Sequence, residues 1–126
     1  MKIVDRATFM QLPPGTIYAK WGDAERTCKN SEAHFYGEVS VKGGNCGVDF
    51  VDEPLFASPE DTYDDATLHD AWSAALNGKE TAPMRIGDDG CRDGMFEEKQ
   101  LFAVYSAVEA RRLRDLIDWC IENAYA

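Results

Sequence analysis

Between Lys42 and Lys79 the chain holds no Lys or Arg, yet Asp49, Asp52, Glu53, Glu60, Asp61, Asp64, Asp65 and Asp70 all fall in that interval. Burying a carboxylate without a partner is too costly to be common, so most of these eight must lie on the surface of whatever the interval folds into. A solvated face, with some acids over the positive end of a helix dipole, accounts for the run. So does a docking surface for a basic groove of the kind that normally holds nucleic acid.

The whole chain shares the bias, with 13 Lys and Arg against 23 Asp and Glu and a net charge of −10. Such a field repels phosphate backbones and anionic membranes and steers basic proteins inward, so neither nucleic acid nor membrane is an expected partner. At 126 residues with 44% hydrophobic composition, one packed domain over residues 1–126 is expected. No apolar stretch reaches membrane-spanning length, and Met1-Lys2-Ile3-Val4-Asp5 lacks the pattern of a secretory leader, so a cytoplasmic location is expected. Cys28, Cys46, Cys91 and Cys120 form no C-x-x-C pair and have no flanking His doublet. That spacing predicts reduced thiols and no zinc site, with Cys120 in the core.

Lys2 to Val4 can begin a strand, and Asp5 offers an N-cap to a short helix through Ala7, Phe9 and Met10 that ends before Pro13-Pro14-Gly15. Thr16 to Trp21 is β-branched and aromatic and predicts a strand; Gly22 to Ser31 predicts a loop. His34 to Val41 alternates, Lys42-Gly43-Gly44-Asn45 supplies a turn, and Val48 to Val51 resumes an extended pattern, which predicts a hairpin. Ser58-Pro59-Glu60-Asp61 has the form of a helix start, and Leu68, Ala71, Trp72, Ala75 and Leu76 keep helical spacing until Asn77-Gly78. Met84 to Ile86 predicts a short strand, and Leu101 to Tyr105, apolar on both faces, predicts a central one. Ser106 and Glu109 form a capping box ahead of a last helix, where Leu113, Leu116, Ile117, Cys120, Ile121 and Ala124 recur at helical spacing. The order β-α-β-β-β-α-β-β-α predicts an α+β fold, a mostly antiparallel sheet with helices packed on one face.

No stretch carries a cofactor signature, and no cofactor is expected: Gly43-Gly44 lacks the Lys-Ser/Thr of a phosphate loop, and no G-x-G-x-x-G follows a strand. Asp89 to Asp93 imitates the start of a calcium loop, but Cys91 and Gln100 stand where oxygen ligands belong, so an ordinary turn is expected. Cys28 and His34 are close in sequence, and Glu38, Asp49 and Asp52 can converge across the hairpin. Neither set matches a nucleophile motif, and no catalytic residue is assigned. Arg111 with Asp115 and Arg114 with Asp118 stand at i+4 and predict a salt-bridged helix face. Trp72 and Trp119 are expected in the core, whereas Trp21, Phe35 and Tyr36 are the more open aromatics.

Two stretches carry a likeness: the opening strand and short helix running to Leu12-Pro13-Pro14-Gly15-Thr16, and Cys91-Arg92-Asp93-Gly94-Met95-Phe96 leading to Gln100-Leu101-Phe102-Ala103-Val104-Tyr105. In these the chain resembles small acidic accessory proteins encoded by bacteriophages and prophages. The resemblance implies a class of role, the binding and blocking of a host factor without catalysis, and it assigns no residue.

The expectation is therefore a non-enzymatic binding protein, an inhibitor of a bacterial defence or nucleic-acid-handling protein that presents a nucleic-acid-like acidic surface to a basic host partner. Asp49, Asp52, Glu53, Glu60, Asp61, Asp64 and Asp65, with Trp21 and Tyr36, are its candidate contact residues. An alternative is a small-molecule or nucleotide binder, oligomeric, using Arg85, Arg92 or Arg112 with Trp21 or Tyr36. A third reading is an enzyme built on Cys28, His34 or the carboxylates near Asp49.

Overall fold

The computed structural model describes residues 1–23, 38–87 and 90–125. Their order is β1 (Lys2–Val4), α1 (Arg6–Met10), β2 (Ile17–Asp23), β3 (Ser40–Cys46), β4 (Asp49–Pro54), α2 (Asp65–Leu76), β5 (Cys91–Arg92), β6 (Gln100–Val104) and α3 (Ala107–Ala124). The strands form one six-stranded sheet in the order β1-β6-β2-β3-β4-β5, with every pairing antiparallel. The fold is α+β with the element order the sequence predicts, and β6 lies inside the sheet as its two-sided apolar pattern requires.

Asp5 caps α1 by accepting the Thr8 amide at 2.8 Å. This single short helix lays Phe9 on the sheet, fully buried. Strand alternation brings Tyr18, Phe50 and Phe102 to that same face. The Phe9 ring stacks on Phe102 at 4.0 Å and meets Phe50 edge-on at 4.9 Å and Tyr18 at 4.7 Å. Val4, Met10, Leu12 and Val104 surround the four rings. Each aromatic pair adds about 0.5–1.5 kcal/mol beyond the area it buries, so this cluster dominates the core.

The helices do not all share that face. Ile17 and Ala103 alternate with Tyr18 and Phe102, and it is on their side that Ala110 and Leu113 of α3 line a cavity with Ile17, Val39 and Tyr105. Neither α2 nor α3 buries a residue. Trp72 and Trp119 are exposed and Cys120 is only half-buried, against the core positions expected of them. Trp119 has Asp115, Leu116, Glu122 and Asn123 as its i±3 and i±4 neighbours, which places it off the apolar stripe.

Three local expectations are corrected. The hairpin turn is Gly47-Val48, with Gly47 at φ +63°, as a two-residue turn with Gly first requires. Lys42-Gly43-Gly44-Asn45 lies within β3, where the register shifts between Lys42 and Asn45. Gly43 is needed for close approach rather than for turning: a Cβ there would stand 2.8 Å from Cβ of Val51. The second helix starts at Asp64, not Ser58. Asp64 accepts the Thr67 amide while Thr67 caps back onto the Asp64 amide, and Ser58 is instead drawn into an extended pairing with Arg85. In the third case only Met84 of the expected Met84 to Ile86 strand forms a bridge, to Pro59, and β5 lies further on at Cys91–Arg92.

Candidate functional site

The acids between Lys42 and Lys79 divide into two groups with opposite surroundings. Asp49, at the start of β4, is fully buried. Its Oδ1 accepts the Phe50 amide at 2.8 Å, and its Oδ2 accepts the Gly94 amide at 3.0 Å and Arg92 Nε at 3.4 Å. Arg6 of α1 stands 3.7 Å from Oδ1 and also donates to the carbonyls of Val48 and Met95. Burial pushes the Asp49 carboxyl up, but the Gly94 and Phe50 amides and the Arg92 guanidinium outweigh it and hold it below its ordinary 3.8. The counter-charges missing from the interval thus arrive from outside it, and Asp49 is removed from any contact surface.

Asp52 is half-buried and accepts the hydroxyl of Tyr18. Burial first, and then Asp52, raise the Tyr18 phenol far above its usual range, so it remains a hydrogen-bond donor. Opposite Asp52 in the ladder, Lys42 is buried with its ammonium 2.8 Å from Oδ1 of Asn45 and 5.8 Å from the centre of the Phe9 ring. Burial lowers its pKa. Glu38 lies outside the strands and is exposed, and Asp49 and Asp52 are bound to different partners.

The second group is Glu60, Asp61, Asp64, Asp65 and Asp70, all exposed along the approach to α2 and its first turns. Among the described residues none of them forms an ion pair. Hydrogen bonds from the Thr67 amide and hydroxyl hold the Asp64 carboxyl below 3.8, so it stays ionised at neutral pH. Behind them runs the extended pairing of residues 57–60 with 83–85, fastened by Arg85, which donates to Ser58 Oγ at 2.7 Å and to the carbonyls of Glu60 at 3.0 Å and Thr62 at 2.7 Å. Ser58, Thr62, Tyr63, Asp64, Asp65, Leu68 and Arg85 line an open cavity of about 440 Å³. At its mouth Tyr63 is 82% exposed beside two carboxylates, an arrangement that offers a cation both charge and an aromatic face. A phosphate there meets Asp64 and Asp65 rather than an available guanidinium.

Glu53 is half-buried in β4, and Trp21 is half-buried in β2. Tyr36, Phe35, Cys28 and His34 lie outside the described residues. Asp93, which stood in the calcium-like run, is bound by Lys20 at 2.6 Å, and among the described residues no group of three His, Cys, Asp or Glu is arranged to hold a metal. Arg92 donates through Nε to Asp49 at 3.4 Å with its side chain 61% exposed, and Arg85 serves its carbonyl cage. On α3, Arg114 pairs with Asp115 at 3.1 Å rather than with Asp118.

Sequence alone missed the Arg6–Asp49–Arg92 centre and the Arg85 clamp. The signal available for the clamp was Arg85 itself, a charged residue inside an otherwise apolar run. Among the described residues no helix is long and apolar enough to cross a membrane. No protein-family model, curated protein or solved structure matches the chain.

Proposed function

We propose that the chain is a non-enzymatic binding protein that docks a basic protein through the acidic ridge of Glu60, Asp61, Asp64, Asp65 and Asp70. The observation that carries this reading is that these five carboxylates are exposed close together in the chain without a cationic partner among the described residues, while Asp49 and Asp52, earlier in the interval, are engaged inside the fold. Uncompensated surface charge steers a cationic partner. The cavity beside Tyr63 has the size and the lining to receive a lysine or arginine side chain from that partner. The resemblance of the chain ends to phage-encoded accessory proteins supports a bacterial defence or nucleic-acid-handling protein as the target, blocked by a surface that imitates the charge of nucleic acid.

Affinity capture from bacterial lysate tests the proposal, with the wild-type protein and a Glu60→Gln/Asp61→Asn/Asp65→Asn/Asp70→Asn variant as parallel baits. The proposal expects a basic protein retained by the wild type in low salt, released by high salt and absent from the variant. Equal recovery on both baits contradicts it.

A further inference from the structure

Among the described residues the apolar stripe of α3 has no cover equal to its length. Leu113, Leu116, Ile117 and Ile121 are between 39% and 56% exposed, although the spacing of Ala110, Leu113, Ile117, Cys120 and Ala124 alternates three and four, the seam of a two-helix contact. The start of the stripe is continuous with the cavity shared by Ile17, Val39, Tyr105 and Leu113, and the rest runs on along a helix about 27 Å long.

The charges beside the stripe say what fits it. Arg111, Arg112 and Arg114 lie in the first half of α3, and Asp118 and Glu122 in the second. A parallel pairing of two such helices sets arginines beside arginines and acids beside acids. An antiparallel pairing opposes the two halves, and with its two-fold axis near Leu116 it brings Arg114 of each copy towards Asp118 of the other. Asp118 forms no ion pair among the described residues, and Arg114 is occupied only by its exposed neighbour Asp115. Glu109, the acid at the start of the helix, is already committed: the α-amino group of Met1 first, then Ser106, hold its carboxyl down to about 2.

We infer that the protein self-associates as an isologous dimer in which a second copy of this chain covers the α3 stripe, the two α3 helices running antiparallel. Four half-exposed aliphatic side chains per copy, with Tyr125 at the end, supply the apolar centre of an interface that needs about 800 Å² from each partner. The net charge of −10 on each copy opposes association, so the dissociation constant is expected on the order of micromolar.

Sedimentation equilibrium of the full chain over a wide concentration range tests this, with circular dichroism confirming that each variant is folded. The wild type is expected to pass from monomer to dimer. Ile117→Asp is expected to remain monomeric, and Arg114→Asp to weaken the dimer by about tenfold or more. The double variant Arg114→Asp/Asp118→Arg, which restores the opposed charges only in the antiparallel arrangement, should return to within about threefold of the wild type. A wild-type monomer up to about 500 μM overturns the inference. So does a dimer indifferent to Ile117→Asp, or a double variant no tighter than Arg114→Asp alone.

Discussion

Asp49 and Asp61 belong to the same cation-free interval, yet one is enclosed by Arg6, Arg92 and two backbone amides and the other stands exposed on an acidic ridge. The difference follows from what surrounds them. β4 is held on both sides by neighbouring strands and packs Phe50 against Phe9, so a carboxylate at its start must be compensated from distant parts of the chain. α2 buries no residue, and a helix of 12 residues is marginal by itself in water. Its start is fixed by the Asp64–Thr67 cap, the Arg85 clamp fastens the preceding residues 58–62, and its acids are under no constraint to find partners. One region spends its charges on the fold, and the other leaves them available.

The sharpest way to break this comparison is to remove the centre of the packed region. Phe9→Ala is expected to destabilise by about 4 kcal/mol, measured by denaturant unfolding, whereas Leu76→Ala on α2, where the side chain is 88% exposed, should stay within about 0.5 kcal/mol. Similar losses at the two positions would mean that α2 is part of the core.

Asp49→Asn should follow, at about 3 kcal/mol, because two guanidinium groups lose their shared anion in a buried setting. Its pH signature is separate from its size. The folded carboxyl titrates below 3.8, so its contribution is complete above the unfolded value and is lost as pH falls through the folded one. Acid unfolding of the wild type should therefore be steeper below about pH 4 than that of Asp49→Asn; parallel curves would place no folded-state stabilisation in that carboxylate.

Asp64→Ala removes one half of the cap and should cost about 1 kcal/mol. Hydrogen exchange should quicken in α2 while β2, β3 and β6 keep their protection. A uniform loss of protection across the sheet would show that the two regions unfold together.

How far these features could be read in advance depended on the sequence distance of the partners. The Asp5 cap and the Ser106–Glu109 box were legible because donor and acceptor lie three residues apart. The Asp49 centre was not, since Arg92 is 43 positions away and no local pattern announces it. Gly43 misled because a turn and a close approach call for the same residue, and only Val51 across the ladder distinguishes them. Ser58-Pro59-Glu60-Asp61 carries a sound helix-start signal that lost to the pairing of residues 57–60 with 83–85, while the reciprocal cap at Asp64 and Thr67 lay six residues later. Of the candidate contact acids, the exposed ones could be anticipated from cost alone. Which acids were exempt required the fold.

Association kinetics with the captured partner, at two salt concentrations, put the ridge to the most direct test. For the variant neutralised at Glu60, Asp61, Asp65 and Asp70, stability should change by no more than about 1 kcal/mol, since Asp65 alone touches the first turn of the helix. Its association rate should fall by about tenfold or more in low salt and lose most of its salt dependence, with a smaller change in dissociation. An association rate equal to the wild type at both salts would contradict the account and leave the ridge as a solvated face.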